Sequence, residues 1–243
     1  MDIDARVFPD LDALSRGALE ELLRAMREAI KERGRFAIAL AGGNTPAKMY
    51  ALWAEAGNHG VSTPWDKVHL FWGDERYVPA DSPLSNYRMT RETLIERVPI
   101  PATNVHPMRG PDNSPTQEAA AEAYEAELRN FFVAAPPAFD VQLLGLGVEG
   151  HVASLFPGSL ALEEKHRWVM AVEAPAQPPQ RLTLTPAVLN RGRRTFFLVA
   201  GQNKREIVAA LRAEPATRPS QYPAGIIRPE GRSVWFLDQA AEG

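Results

Sequence analysis

Cysteine is absent from all 243 residues. That excludes disulfides, thiolate nucleophiles and every cysteine-ligated metal site, and it agrees with a reducing cytoplasm, where the chain is expected to work. Charge of one sign is also missing: 27 basic residues face 30 acidic ones, for a formal net charge of -3. No broad basic field is available for nucleic acid or an anionic membrane, so any cationic site has to be local. No apolar run is long enough to span a bilayer, and the acidic opening Met1-Asp2-Ile3-Asp4 does not read as a signal peptide. Nor is there a Gly-Lys-Ser/Thr phosphate loop, a complete dinucleotide fingerprint or a pair of histidines at metal-ligand spacing. A metal site is therefore disfavoured, and no standard nucleotide-binding motif is present.

What remains is a chain 45% hydrophobic and 23% charged, enough to bury a substantial core, and one domain over residues 1–243 is the economical expectation. Asp10 or Asp12 can cap a first helix in which Leu14, Ala18, Leu22, Ala25 and Ala29 recur at helical spacing up to Gly34. Apolar runs at 35–41, 67–72, 139–144, 168–172, 195–200 and 234–237 read as strands, and 181–185 alternates as a half-buried strand does. Helical stretches separate them, among them an alanine-rich one over about 116–132. Strands alternating with helices predict an α/β fold, a mostly parallel sheet covered on both faces.

Polar or glycine-rich segments follow the strands directly. Gly42-Gly43-Asn44-Thr45-Pro46 comes after the first long run, with Thr45 expected as N-cap and Pro46 as the first helical residue. Backbone N–H groups at such a helix start can bind an anion. Arg76, in Gly73-Asp74-Glu75-Arg76, and Lys204, in Gly201-Gln202-Asn203-Lys204, also follow strands and can bring cations to the same edge. Arg181 begins a strand, so simple topology does not place it there. The central stretch is Leu144-Gly145-Leu146-Gly147-Val148-Glu149-Gly150-His151. His151 can take a proton from water near neutral pH, and Glu149 can orient the imidazole. His59, His69, His106 and His166 read as structural or surface groups.

Taken in order, Ala41-Gly42-Gly43-Asn44-Thr45-Pro46, Phe71-Trp72-Gly73-Asp74-Glu75-Arg76-Tyr77, Ser85-Asn86-Tyr87 and Gly147-Val148-Glu149-Gly150-His151-Val152-Ala153-Ser154-Leu155-Phe156-Pro157-Gly158 resemble the glucosamine-6-phosphate isomerase/6-phosphogluconolactonase family, on its lactonase side. The 181–185 and 201–204 segments extend the match along nearly the whole chain. The resemblance implies a modified Rossmann-like three-layer α/β/α fold and hydrolysis of 6-phospho-D-glucono-1,5-lactone in the oxidative pentose phosphate pathway, without metal or cofactor. It implies His151 as general base with Glu149 beside it. Gly42, Gly43, Asn44, Thr45, Arg76 and Lys204 would lie around the phosphate, and Asp74 and Arg181 are further candidate substrate contacts. Glu149 stands where the family commonly has Asp, and Asn44 where it has Ser. The expected partner is the small sugar-phosphate lactone alone, with no nucleic acid or membrane, and a monomer is compatible with the sequence. Two rivals are a glucosamine-6-phosphate deaminase, which needs a glutamate where Phe156 stands, and a non-catalytic sugar-phosphate sensor.

Overall fold

The structure is a computed structural model that describes residues 4–59, 62–133, 137–214 and 221–243; the opening Met1-Asp2-Ile3 read above lies outside them. Its strands are β1 (Ala5–Phe8), β2 (Phe36–Leu40), β3 (Val68–Trp72), β4 (Asp74–Arg76), β5 (Val105–His106), β6 (Val141–Leu144), β7 (Val169–Glu173), β8 (Gln180–Leu184), β9 (Arg194–Val199) and β10 (Arg232–Asp238). Its α-helices are α1 (Leu11–Arg33), α2 (Asn44–Glu55), α3 (Asn86–Thr93), α4 (Gln117–Phe132), α5 (Pro186–Leu189), α6 (Arg205–Ala213), α7 (Pro223–Ile226) and α8 (Gln239–Glu242). No helix among the described residues is long and apolar enough to cross a membrane.

Helix α1 forms for the reasons its sequence suggests. The Asp10 side chain accepts from the Ala13 N–H, and Gly34, left-handed at φ 76°, closes the other end by donating to the Ile30 carbonyl. Leu14, Ala18, Leu22, Ala25 and Ala29 form its buried stripe. The same logic starts α4, where the Thr116 side chain accepts from the Ala119 N–H.

Seven strands form one parallel sheet in the order β1-β10-β9-β6-β2-β3-β5. The chain moves outward from β2 to β3 and β5, then returns through α4 to β6 on the other side of β2. Right-handed crossovers put α1, α2 and α3 on one face and α4 and α6 on the other. Packing agrees, with α1 against α2 and α2 against α3. A small antiparallel sheet, β4-β8-β7, lies on the α4 side and packs against that helix. Strand order reverses between β2 and β6, so the carboxyl ends of these two neighbours open a crevice where ligands of such sheets bind.

Two tyrosines brace this edge. The Tyr50 hydroxyl, from α2, accepts from the Ala41 N–H at 3.0 Å and donates to the Ala41 carbonyl at 2.9 Å. The Tyr124 hydroxyl, from α4, does the same for Trp72, at 2.9 and 3.1 Å. Both hydroxyls satisfy peptide groups at strand ends, just before the chain enters the crevice. Tyr124→Phe removes one donor and one acceptor from a buried pair. It is expected to destabilise the fold by about 1–3 kcal/mol, read as a lower midpoint in urea with an unchanged m-value.

Candidate active site

After β2, Gly42 passes so close to α3 that a Cβ there would sit 1.9 Å from the Asn86 Oδ1. Gly43 follows at φ 99°, a left-handed backbone that glycine adopts without strain. Helix α2 then begins at Asn44, two residues before the expected start. Its N-cap is Gly43, not Thr45, and no side chain caps it. The difference has a chemical consequence: a Thr45 cap would have occupied N–H donors at the helix end, whereas here no side chain takes them and the residues of that end line the crevice.

The segment after β3, Asp74-Glu75-Arg76, is a strand and not a loop. The Glu75 carboxylate is buried and accepts from the N–H groups of Arg76, Asn86 and Tyr87 and from the Ser85 hydroxyl, at 2.7 to 3.0 Å. Burial pushes its pKa up to about 7 against these donors. The network ties β4 to the first turn of α3, and Asn86 Nδ2 adds a bond to the Asp74 carbonyl at 3.0 Å.

Strand β4 pairs antiparallel with β8, which sets Arg76 directly opposite Arg181. This pairing, invisible to a single-sheet reading, brings Arg181 into the crevice. The residue as a whole is largely buried, and its guanidinium donates through Nε to the Pro178 carbonyl at 2.9 Å. Arg76 donates from Nη1 to the Leu84 carbonyl at 2.7 Å, while its buried Nε has no partner. Burial first, and then Arg76, push the pKa of Arg181 down. Two like charges directly opposite each other oppose folding, and both line the cavity with Asp74 and Glu75 close enough to offset part of their charge.

After β6 the chain turns through Gly145 and Gly147 to His151. Nδ1 of His151 lies 3.2 Å from Glu149 Oε2, yet it is buried and without an aligned hydrogen bond, so the contact is electrostatic more than directional. A Cβ at Gly147 would meet Nδ1 at 1.9 Å, and one at Gly150 would meet Tyr222 at 2.8 Å. The Ala224 N–H donates to the Gly150 carbonyl at 2.9 Å, so the start of α7 backs the histidine loop. Burial lowers the His151 pKa below its ordinary value, opposed by Glu149 and Asp74 and assisted by Lys204. For Glu149, burial acts upward, but its own backbone N–H, His151 and Lys204 together hold the carboxyl low. Burial also lowers the pKa of Lys204, against the pull of Glu149.

Past His151 the chain folds back in a tight turn, Leu155 N–H to Val152 carbonyl at 2.9 Å, with Ala153 left-handed at φ 49°. Ser154 anchors it. Its hydroxyl donates to Asp74 Oδ2 at 2.7 Å, and its N–H to Thr183 Oγ1 at 3.3 Å. The turn lays the Phe156 ring against the imidazole, with centroids 4.2 Å apart and planes 27° from parallel.

Gly42, Gly43, Asp74, Arg76, His151, Arg181 and Lys204 line one cavity of about 220 Å3. Asn44 and Thr45 line an adjoining lobe of about 480 Å3, which shares Gly42, Gly43 and Lys204. Glu149 stands behind His151. Asn86, Ser154, Phe156 and Tyr222 position these groups, and sequence reasoning assigned them no such role; the short Ser-Asn-Tyr and Ala-Ser-Leu-Phe stretches hinted at the first three, and nothing pointed to Tyr222. Among the described residues no group of three or more His, Asp or Glu side chains is placed to hold a metal ion.

The other histidines lie elsewhere. His69 Nδ1 is 3.2 Å from His106 Nε2, whose Nδ1 is 2.7 Å from Glu127 Oε1, beside Phe71 and Phe131. Burial, and then His106, hold His69 down at about 4. His166 donates its N–H to Glu164 on an exposed turn, and the side chain of His59 lies outside the described residues.

Fold and site together define an α/β enzyme of Rossmann-like architecture, with cations and a histidine–carboxylate pair in one switch-point crevice. The pattern describing glucosamine-6-phosphate isomerases/6-phosphogluconolactonase matches residues 9–235, and the chain belongs to this family. A 6-phosphogluconolactonase from a Nostoc strain is 43% identical over 97% of this chain and 95% of its own. One from a Synechocystis strain is 46% identical over 88% and 86%. The solved 6-phosphogluconolactonase of Trypanosoma brucei superposes with a TM-score of 0.84 at 32% identity, over 99% of this chain and 97% of that one.

Gly42→Ala forces Asn86 or the loop aside. It is expected to weaken binding of inorganic phosphate about tenfold or more, measured by titration calorimetry. Affinity equal to that of the unaltered chain would show that the loop does not contact the ligand.

Proposed function

We propose that the chain, as a single domain, is a 6-phosphogluconolactonase that hydrolyses 6-phospho-D-glucono-1,5-lactone to 6-phospho-D-gluconate. The observation that carries this reading is that His151, with Glu149 behind it, opens into the same cavity as Arg76, Arg181 and Lys204. A phosphate held by these cations and by the N–H groups at the start of α2 places the far end of the sugar, with its C1 carbonyl, toward the histidine.

With Nδ1 turned to Glu149, Nε2 is the nitrogen left for water. It takes a proton as the water oxygen bonds to C1, and the carbonyl electrons move to an oxyanion. The C1–O5 bond then breaks, O5 receives the proton from the imidazolium, and the acid product ionises. Glu149 and Asp74 stabilise the transient imidazolium electrostatically. Positioning by the remote phosphate turns the attack into an effectively unimolecular event. Deamination fits less well, because the buried Phe156 ring stands where the resemblance requires a carboxylate to move protons.

Stopped-flow hydrolysis of freshly generated lactone, corrected for the spontaneous reaction, tests the assignment. His151→Ala is expected to lower kcat by roughly 100- to 10,000-fold. Turnover at the unaltered rate would remove His151 from the mechanism, and release of ammonia from glucosamine 6-phosphate would overturn the whole reading.

The histidine has to be neutral to act, and its pKa is held below 6.5 by burial. The acid limb of kcat/KM is therefore expected to have its midpoint below 6.5, with activity lost as pH falls through it. A midpoint above 7 would contradict a buried histidine base.

A further inference from the structure

We propose that Phe156 is a positioning residue for His151: its ring stacks on the imidazole and fixes the plane from which Nε2 faces the water. This deepens the lactonase reading and rests on it.

An imidazole at the end of a loop has two torsions to settle. Its contact with Glu149 settles neither fully, since the 3.2 Å approach comes without an aligned hydrogen bond. Gly147 stands against Nδ1 on one side but presents no side chain. The broad surface the ring does meet is Phe156, which is 3% exposed and stacked at 4.2 Å and 27°. That geometry is produced by long-range contacts and not by the local sequence alone. Residues five apart face each other because Ala153 takes a left-handed backbone, and because Ser154 is bonded to Asp74 of β4 and to Thr183 of β8.

Charge gives the ring a second effect. When His151 takes the water proton it becomes a cation in a cavity that already holds three others. The charged groups around it are Glu149 on its own loop, Asp74 and Arg76 from β4, Lys204 after β9 and Arg181 from β8. A π-face is electron-rich and stabilises a cation laid upon it. The Arg181 guanidinium carbon lies 6.0 Å from the centroid of the same ring, so one aromatic side chain borders both the reacting imidazole and a cation of the anion cradle. An aliphatic side chain of similar volume would fill the space but would offer no such face.

The test compares the unaltered chain with Phe156→Leu, Phe156→Met and Phe156→Tyr. Each is checked for folding by circular dichroism, then assayed on the lactone and titrated by NMR through the His151 imidazole signal, identified by its loss in His151→Gln. Both aliphatic variants are expected to lower kcat about tenfold with KM within about twofold. They should also shift the imidazole midpoint downward by about half a pH unit. Phe156→Tyr, which keeps the ring, should retain most of both properties. Phe156→Met supplies a more pliable filling if the leucine variant does not fold. Unchanged kcat and midpoint in a folded aliphatic variant would overturn the proposal, and so would a tyrosine variant as impaired as the aliphatic ones. If the unaltered chain shows no lactone turnover but the midpoint still responds to the loss of the ring, the lactonase reading falls and the stacking stands.

Discussion

A parallel strand that ends at a sheet edge leaves peptide groups without ladder partners, and this crevice is shaped by how the chain satisfies them. At Ala41 and Trp72 a tyrosine hydroxyl from a covering helix takes both the N–H and the carbonyl. The Glu75 carboxylate does similar work for the Arg76 N–H in β4 and, at the start of α3, for two backbone N–H groups and the Ser85 hydroxyl. At the start of α2 no side chain does so. The uncapped helix end is thus set among strand ends that are firmly pinned, and an anion can complete what the protein leaves open.

Electrostatics divides the crevice along the same lines. Arg76 and Arg181 face each other across paired strands, Lys204 approaches from the end of β9, and the nearby carboxylates, Asp74 and Glu149, lie toward the histidine. Asp74 is itself bonded to Ser154, so the carboxylate that influences His151 also anchors the turn that follows it. Clustered positive charge opposes folding and favours an anion that neutralises it, which is a usual trade between stability and function.

The parts of this site that could be read from the chain are those where local sequence settles local structure. Apolar runs ending in glycine gave the strand ends near Gly42 and Gly145, and Asp10, Gly34 and Thr116 bound their helices as expected. Arg181 was harder, because its place depends on β8 pairing with β4 about a hundred residues earlier in a second sheet. Tyr50, Tyr124 and Tyr222 carried no signal, since a tyrosine whose hydroxyl closes a strand end and one that merely packs are written alike. Thr45 was misread for a different reason: it has the right chemistry for a cap, but Gly43, at φ 99°, lets the helix begin earlier. Local propensity lost there to the backbone freedom of Gly43.

The close approach of Gly42 to Asn86 also bears on how such a site can change over generations. Asn86 fills the volume a side chain at position 42 would need, and it holds the Asp74 carbonyl through its amide. The two positions are therefore not free to drift separately. A lineage that gave up the glycine would first have to shorten residue 86, and in doing so would loosen the strand that carries Arg76. The loop around the anion and the strand supplying its cation are bound to vary together, or not at all.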